Sequence, residues 1–288
     1  MPPQLRNENA EDETSKFALS ICIPSYNRRA LIEPLVRELL SFEGPFEVCV
    51  HVDGSTDGTE SALRAINDHR LSVSAGQNRG SAEALLSAFR LAKGRYVMPF
   101  NDDDHLYRDG LKTIIHDCIS GVPQGCAGFI YHLEDERGAR VGSDFPKPQS
   151  NFLELRADYK VKGDKKEVVL AEPLRSALGA NPRGFRRIPM SSYWSKIALR
   201  HDVICRDHVV GQKKYLADGL TANISRIKNE NALPMAKLYA IHIVGYTKGR
   251  YRSLPFLAKA IAGLLVYSIK AIAFDLFKAT CAPKPLSA

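Results

Sequence analysis

The sequence lacks the paired cysteine spacing of zinc sites and of small disulfide-rich domains. Its six cysteines are scattered along 288 residues without a Cys-x-x-Cys motif. Two of them, Cys22 and Cys49, lie inside apolar runs that are typical of buried strands. This pattern favours reduced cysteines in the core of a cytoplasmic protein over disulfides or zinc ligands.

The sequence also lacks a signal peptide. The first sixteen residues are polar and contain no basic start followed by an apolar core. We therefore expect residues 1–16 to form a disordered leader. No repeat or low-complexity pattern follows it, and the apolar and charged fractions of 44% and 25% are those of an ordinary globular protein.

A long uninterrupted apolar run is absent as well. Near the end of the chain the apolar run Ala260–Ile269 lies between Lys259 and Lys270. It is shorter than the ~20 residues that a helix needs to span hydrocarbon. We therefore expect residues 246–288 to form a basic, apolar helix that lies on a membrane surface or docks on the protein.

The net charge of +8 is unevenly distributed. Lys160–Arg187 holds eight basic residues against three acids, and Lys248–Lys278 holds six against one. Such an excess suits nucleic acid, membrane headgroups or a phosphorylated substrate. Aromatic and basic residues do not interleave as they would in a base-stacking platform, which argues against nucleic acid.

What the first part of the sequence does contain is a regular alternation of apolar and amphipathic segments. It predicts strands at Phe17–Pro24, Phe46–Val52, Leu71–Ala75 and Tyr96–Phe100, and helices at Ala30–Ser41, Glu60–Asp68 and Ser81–Ala92. Strands that alternate with helices imply right-handed crossovers and a mainly parallel sheet of an α/β protein.

The pattern is less regular beyond residue 125. It predicts a strand at Gly125–Leu133, a return strand at Ala139–Val141, a mobile polar loop at Pro146–Asp164, helices at Val168–Leu178 and Ser191–Leu199, and a strand within Val203–Tyr215. We expect residues 17–130 and 131–245 to form two functional halves of one catalytic domain.

Polar clusters follow three of the predicted strands. They are Ser25–Arg28, Asp53–Asp57 and Asp102–Asp104. Ligands of parallel sheets bind beyond the carboxyl ends of the strands, so these clusters are expected to meet in one crevice. Adjacent carboxylates repel one another unless a cation lies between them, and capping a helix needs only one acid. Asp102–Asp104 therefore favour a divalent metal site.

Four motifs follow one another within roughly the first 110 residues: Ile23–Arg28, Val52–Thr59, Asn78–Gly80 and Asp102–Asp104. In this order they resemble family 2 glycosyltransferases with the GT-A fold, a Rossmann-like, mixed, mainly parallel sheet flanked by helices. Beyond Gly125 the resemblance is restricted to Gly163–Val168 and Arg186–Trp194, which are similar to bacterial polysaccharide-assembly members. A C-terminal helical extension would follow.

The resemblance implies roles for individual residues. Tyr26 would stack on the nucleotide base, and Asp53 would hold the base by hydrogen bonds. Asp102 and Asp104 match the Asp-x-Asp motif that binds Mg²⁺ or Mn²⁺ on the donor diphosphate. Basic residues of the 160–187 segment would complement the phosphates. The full set expected to bind the nucleotide-diphospho-sugar is Pro24, Tyr26, Asn27, Arg28, Asp53, Arg79 and Asp103. Many relatives carry a further acid where this chain has Val52, so Asp53 is the only candidate there.

The resemblance also implies an inverting mechanism, in which a carboxylate takes the proton from the attacking acceptor hydroxyl. Related sequences often place an acid near Ser191, whereas this chain has Pro189–Ser192 there. Asp164 and Glu167 are the nearest matching acids and are the candidate catalytic bases, with Asp202 and Asp207 next. Asp164 and Glu167 could equally be solvated surface charges without a catalytic role, because most residues from 163 to 167 are charged.

The leading hypothesis is a cytoplasmic, metal-dependent glycosyltransferase on the inner face of a bacterial membrane, acting on a saccharide acceptor that is lipid-linked. One alternative is a sugar-phosphate nucleotidyltransferase, but those enzymes usually carry a glycine-rich loop after the first strand, and Pro24–Arg29 has no glycine. Another is a non-catalytic, basic membrane-binding module with a vestigial nucleotide pocket. Metal-dependent stabilisation by nucleotide diphosphates would distinguish the last from an enzyme.

Overall fold

The computed structural model describes residues 16–178, 188–214 and 231–281, and the side chains of the last helix as far as residue 273. Strands and helices alternate in the first part of the chain, as the sequence predicts. The elements are β1 (Leu19–Ser25), α1 (Arg29–Leu40), β2 (Phe46–Asp53), α2 (Thr59–Arg64), β3 (Leu71–Gly76), α3 (Ser81–Leu91), β4 (Tyr96–Pro99), β5 (His105–Leu106) and α4 (Arg108–Ser120). The predicted leader lies outside the described residues up to residue 15.

The second part of the chain mixes short strands with helices. Its elements are β6 (Cys126–Glu134), β7 (Gln149–Ser150), α5 (Phe152–Ala157), β8 (Lys166–Leu170), α6 (Ala171–Leu178), α7 (Met190–Ala198), β9 (Asp202–Gln212), α8 (Ala232–Thr247) and α9 (Leu254–Cys281). The strand predicted at Gly125–Leu133 and the helix predicted at Ser191–Leu199 are confirmed to within one or two residues.

All nine described strands belong to one sheet, in the order β3-β2-β1-β4-β8-β6-β9-β5, with β7 paired to β9. The strands β1 to β4 are parallel. The strand β8 runs antiparallel between β4 and β6, and β6 is parallel to β9. Six strands therefore share one direction, while β5, β7 and β8 oppose it. The mainly parallel α/β sheet is confirmed.

Each face of this sheet carries its own hydrophobic core. One core joins Val168 to residues of α1 and α4, such as Ile32 and Ile114. The other joins Val169 to residues of α3 and α7, such as Phe89 and Trp194. Helices cover both faces, so the central strands are buried on both sides and read as continuous apolar runs. Because β1, β2 and β4 are parallel, their carboxyl ends lie at one edge of the sheet.

The helix predicted at Val168–Leu178 is wrong in its first part. Residues Lys166–Leu170 form β8, and the helix begins at Ala171. Val168 and Val169 are both fully buried, each in the core on a different face of the sheet. Consecutive buried residues on opposite sides are possible in a central strand, because successive side chains of a strand alternate. Two charged residues at its start hid this strand in the sequence.

The mobile loop predicted at Pro146–Asp164 is also wrong, because it contains β7 and α5. Asn151 caps α5 by accepting hydrogen bonds from the backbone N–H groups of Leu153, at 3.0 Å, and Glu154, at 2.9 Å. Phe152 stacks on Trp194 with the ring centroids 5.5 Å apart. The return strand predicted at Ala139–Val141 is only a single bridge between Glu134 and Arg140.

The apolar segment of the C-terminal helix is longer than the sequence pattern indicates. The helix α9 has 28 residues, and Leu254–Ala273 is long and apolar enough to cross a membrane by length and composition. The expectation that the apolar segment is too short is therefore wrong, because Lys259 and Lys270 do not end the helix. Gly263 of α9 lies so close to α8 that a Cβ atom there would be 2.6 Å from the ring of Tyr239, and Tyr239 stacks on Tyr267 of α9.

Candidate functional site

Three loops meet at the carboxyl edge of the sheet, after β1, β2 and β4. Ser25, at the end of β1 after Pro24, donates a 3.0 Å hydrogen bond from Oγ to Asp102 Oδ2. Arg28 Nη1 lies 2.7 Å from Asp102 Oδ1 and 3.3 Å from Asp103 Oδ2. The loop after β1 thus contacts the carboxylates that follow β4. The structure brings together the polar clusters that the sequence places at strand ends.

The same loop is fixed to the segment after β2. The backbone N–H of Asn27 donates to Ser55 Oγ at 2.9 Å, and Asn27 Oδ1 accepts from the backbone N–H of Thr56 at 2.8 Å. Asn27 has a φ of +49°, a left-handed conformation that asparagine tolerates better than most residues. Tyr26 beside it is 48% exposed. An aromatic ring held in solvent by an anchored loop is suited to stacking on a bound ring.

Asp53 has a structural role that the sequence does not reveal. It is only 3% exposed. Its Oδ1 accepts from the backbone N–H of Arg79 at 2.8 Å and its Oδ2 from that of Gly80 at 2.9 Å. The carboxylate therefore holds the loop that leads into α3, while the Arg79 side chain is exposed. Hydrogen bonding of Asp53 to a nucleotide base stays a prediction.

The segment after β4 buries two carboxylates. Asp102 is 8% and Asp104 5% exposed. Burial raises the pKa of Asp102, and Arg28 opposes that rise. Asp104 Oδ2 accepts from Asn101 Nδ2 at 3.0 Å and lies 3.5 Å from Lys166 Nζ. Lys213 Nζ lies 2.9 Å from Asp104 Oδ1. The cluster thus combines three acids with three basic side chains.

Two of those basic residues were not singled out from the sequence. Lys166 lies within the basic segment that was expected to face phosphates, but its position in a strand was missed. Lys213 directly follows β9 and belongs to no motif in the sequence. Both are largely buried, and Lys166 Nζ lies 4.4 Å from the centroid of the Phe100 ring. Alternation along a central strand would have been the signal, since it turns every second residue toward the same face.

The chemistry of Asp102 and Asp104 fits Mg²⁺ or Mn²⁺. Both ions prefer oxygen ligands, and each carboxylate oxygen has two lone pairs. Asp104 Oδ1 is buried without a well-aligned hydrogen bond, although Lys213 is near it. Among the residues that the structure describes, no group of three or more His, Cys, Asp or Glu side chains is arranged for a metal. A metal here would therefore need further oxygens from a bound molecule.

The two candidate bases differ in their surroundings. Glu167 follows Lys166 on β8. Burial raises the pKa of Glu167 to about 7, although the positive charges of Lys166 and Arg156 lower it. Asp164 is exposed in the loop before β8. The next candidates form ion pairs, Asp202 with Arg250 and Asp207 with Arg140. A pKa of about 7 suits Glu167 to general base catalysis near neutral pH.

The loop that carries Asp164 is fixed by a close backbone crossing. Gly142 and Gly163 have φ values of +74° and +80°. A Cβ atom on Gly142 would be 2.0 Å from the carbonyl oxygen of Lys162, and one on Gly163 would be 2.6 Å from Gly142 Cα. Only glycine adopts this conformation without cost and fits this space. The crossing lies just before β8, which carries Lys166 and Glu167.

Comparison with known proteins identifies the class. The model of glycosyl transferase family 2 matches residues 20–168, more than half of the chain. The chain therefore belongs to glycosyltransferase family 2. It is 33% identical over 107 residues to the abequosyltransferase RfbV of Salmonella typhimurium, covering 33% of this chain and 31% of RfbV. The chain spans less than half the length of the curated relatives that it matches.

Solved structures show the same fold. A chain of S. aureus TarS that comprises residues 1-349 has a TM-score of 0.60 at 17% identity, covering 93% of this chain and 75% of that one. The mannosyltransferase PcManGT from Pyrobaculum calidifontis, in complex with GDP-Man and Mn²⁺, has a TM-score of 0.55 at 20% identity, covering 95% of this chain and 78% of that one. The predicted GT-A fold is confirmed.

Proposed function

We propose that this chain transfers a sugar from a nucleotide-diphospho-sugar to a saccharide acceptor in bacterial surface polysaccharide synthesis. The observation that carries the proposal is the meeting of an exposed tyrosine, a held α3 loop and a buried acid–base cluster at one edge of the sheet. Membership of family 2 supports the reaction class. PcManGT supports a nucleotide-sugar donor, since it was solved with one.

The donor would lie along the three loops. Tyr26 would stack on the base, and Asp53 would position the Arg79–Gly80 backbone beside it. Asp102 and Asp104 would hold Mg²⁺ or Mn²⁺, with Asp103 toward the sugar. When bound, that ion supplies a Lewis acid that neutralises the leaving diphosphate. The Mn²⁺ complex of PcManGT supports this cofactor.

The acceptor would approach the half of the site that residues 131–245 form. Glu167 is the preferred base, because a carboxylate with a pKa of about 7 is both partly ionised and basic enough to take a hydroxyl proton at neutral pH. Attack from the face opposite the leaving group would invert the anomeric centre. Asp164 is the second candidate base.

A membrane position is part of the proposal. Five of the six exposed large apolar residues described on α9 recur at spacings of three, four and seven, so they share one face of the helix. They are Leu254, Ile261, Leu265, Ile269 and Ile272, and the sixth, Val266, directly follows Leu265. The side with Gly263 and Tyr267 contacts α8 instead. A helix with one face on the protein and an apolar face in solvent is suited to lie on a membrane, where a cytoplasmic enzyme would reach a lipid-linked acceptor.

A donor screen tests the reaction. The purified chain is incubated with Mn²⁺ and a panel of UDP-, GDP-, CDP- and dTDP-sugars, and release of nucleotide diphosphate is measured. We expect turnover of at least one donor, loss of turnover in Asp104→Ala, and unchanged turnover in Asp109→Ala, whose side chain is 92% exposed on α4. Full activity of Asp104→Ala with every donor would refute the metal assignment, and no turnover with any donor would count against the reaction.

A further inference from the structure

An arginine on α5 holds the segment of chain that leads to the candidate base. Arg156 Nη1 donates to the carbonyl oxygen of Val161 at 2.8 Å, and its Nη2 donates to that of Gly163 at 3.3 Å. Both carbonyl groups lie between α5 and β8. The planar, rigid guanidinium therefore fixes two points of this segment at once.

The candidate base points to the side of the sheet on which α5 lies. Val169 of β8 belongs to the same hydrophobic core as Leu155 of α5. Successive side chains of a strand point to opposite faces, so Glu167 shares the face of Val169. Lys166 points to the other face, where it meets Asp104. The arginine of α5 is therefore on the same side of the sheet as the candidate base.

The helix that carries this arginine is fixed at both ends. Asn151, which caps the start of α5, also donates from Nδ2 to the carbonyl oxygen of Arg250 at 3.0 Å. Asp158, directly after its end, accepts from the backbone N–H groups of Arg252 at 2.9 Å and Ser253 at 2.7 Å. These bonds tie α5 to the chain between α8 and α9. A side chain on such a fixed helix is suited to positioning another group.

The segment that the arginine holds has little support of its own. Residues 158–165, all of which the structure describes, form no helix or strand. Lys160 has a φ of +55°, and Gly163 takes part in the backbone crossing with Gly142. The backbone N–H of Val161 donates to the carbonyl oxygen of Leu155 at 2.9 Å. The guanidinium therefore supplies two of the bonds that set the course of the chain just before β8.

The charge of the arginine also acts on the candidate base. Lys166 and Arg156 favour the ionised form of Glu167, and Asp164 opposes it. The face of the sheet to which Glu167 points also carries Lys165 and His132. His132 is neutral near pH 7, because burial lowers its pKa to about 4. Loss of the arginine would therefore make Glu167 harder to ionise.

We propose that Arg156 is a positioning residue of the transfer reaction, which fixes the segment before β8 and thereby aims Glu167 at the acceptor hydroxyl. This inference rests on the proposed function, since it takes Glu167 as the base. A base must come within a hydrogen bond of the proton that it takes, and a misplacement of about 1 Å can cost about a hundredfold in rate. Arg156 itself takes no proton, because its guanidinium stays charged.

Two variants separate the position of the base from its charge environment. Arg156→Lys keeps the positive charge but loses the planar fork, so kcat is expected to fall about tenfold while the midpoint of the rise in kcat/KM with pH stays that of the wild type. Arg156→Gln loses the charge as well, so the midpoint is also expected about 0.5 pH higher. The shift is small because Arg156 is exposed and solvent screens its charge.

The experiment uses the full chain and the donor found by screening. Initial rates are measured from pH 5 to pH 9, and the Kd of the corresponding nucleotide diphosphate with Mn²⁺ is measured by calorimetry. Both variants are expected to keep the wild-type Kd, because Arg156 lies on the face of the sheet opposite to Lys166 and Asp104. The matched control is Arg64→Gln, because Arg64 is 54% exposed and pairs with Glu60 of its own helix. It is expected to match the wild type in rate, midpoint and Kd.

The outcomes separate this inference from the proposed function. Wild-type kcat in both variants, or an unmoved midpoint in Arg156→Gln, would refute it. A loss of nucleotide affinity together with kcat in both variants would show that Arg156 supports the fold as a whole, and would refute it as well. If Glu167→Gln keeps full activity, the base and this inference fail while the transfer reaction stands. If the wild type turns over no donor, the proposed function itself fails.

Discussion

Replacement of Glu167 by glutamine gives the sharpest test of the candidate base. Its pKa is raised to about 7 by burial, and the charged groups that act on it are Lys166, Arg156 and Asp164. A base must be ionised to work, so wild-type kcat/KM is expected to rise about tenfold from pH 6 to pH 8 and then level off. Glu167→Gln is expected to lower kcat by about 10²–10⁴-fold and to remove this rise. Initial rates with the donor found by screening, measured from pH 5 to pH 9, check both.

Glu167→Gln is expected to lower activity but to raise the stability of the fold. Below the ordinary carboxyl pKa of 4.5, Glu167 is protonated in both the folded and unfolded states and costs nothing. Above it, the raised folded pKa opposes ionisation, so wild-type stability falls as pH rises to about 7. Glutamine avoids this cost. Urea unfolding is therefore expected to show Glu167→Gln gaining up to about 3 kcal/mol over the wild type at pH 8, and little at pH 4.5.

Asp164→Asn is the matched comparison, because Asp164 is close in sequence but exposed. It is expected to keep the rise in kcat/KM near pH 7. Loss of activity in Asp164→Asn with wild-type activity in Glu167→Gln would move the base to Asp164. A stability difference for Glu167→Gln that is the same at all pH values would show that the pKa of Glu167 is not raised.

Three further variants test other parts of the molecule. Asp53→Ala removes two hydrogen bonds from backbone N–H groups to a buried carboxylate, and urea unfolding is expected to show a loss of about 3 kcal/mol. Tyr26→Ala is expected to raise the Kd of the nucleotide up to about tenfold by calorimetry, while Tyr26→Phe keeps it; equal Kd values would rule out stacking. The double variant Leu265→Ser, Ile269→Ser is expected to reduce flotation with anionic vesicles. The control is Ile119→Ser, because Ile119 is 62% exposed on α4. Unchanged flotation of the double variant would show that α9 does not bind the membrane.

The first half of the fold was predictable because each strand and helix there corresponds to one uninterrupted pattern in the sequence. The run Phe46–Asp53 is apolar and ends in a turn, and α3 follows a glycine. Once the strands are parallel, topology alone places Tyr26, Asp53 and Asp102 at one edge. The network that joins them was not predictable, because the bonds of Asp53 go to backbone groups that any sequence would supply.

Two of the errors, at β8 and at α9, share one physical cause, which is that charged residues interrupt the apolar pattern without ending the element. Lys166 and Glu167 concealed the start of β8, although a lysine can be buried in a strand when Asp104 faces it. Lys259 and Lys270 concealed the length of the apolar segment of α9, although a long lysine side chain extends away from an apolar surface. At β8 the carboxylate that makes the buried charge acceptable lies elsewhere in the chain, so the local pattern does not contain it.

The crossing of Gly142 and Gly163 limits which residues can stand at these two positions. Neither residue has a functional group, yet a Cβ atom at either position would clash with the backbone of the other segment, so the crossing would have to shift. In a library of random single substitutions selected for activity, both positions should tolerate almost nothing, much like a catalytic residue. In such a mutational scan, this loop would therefore score as essential for steric reasons alone.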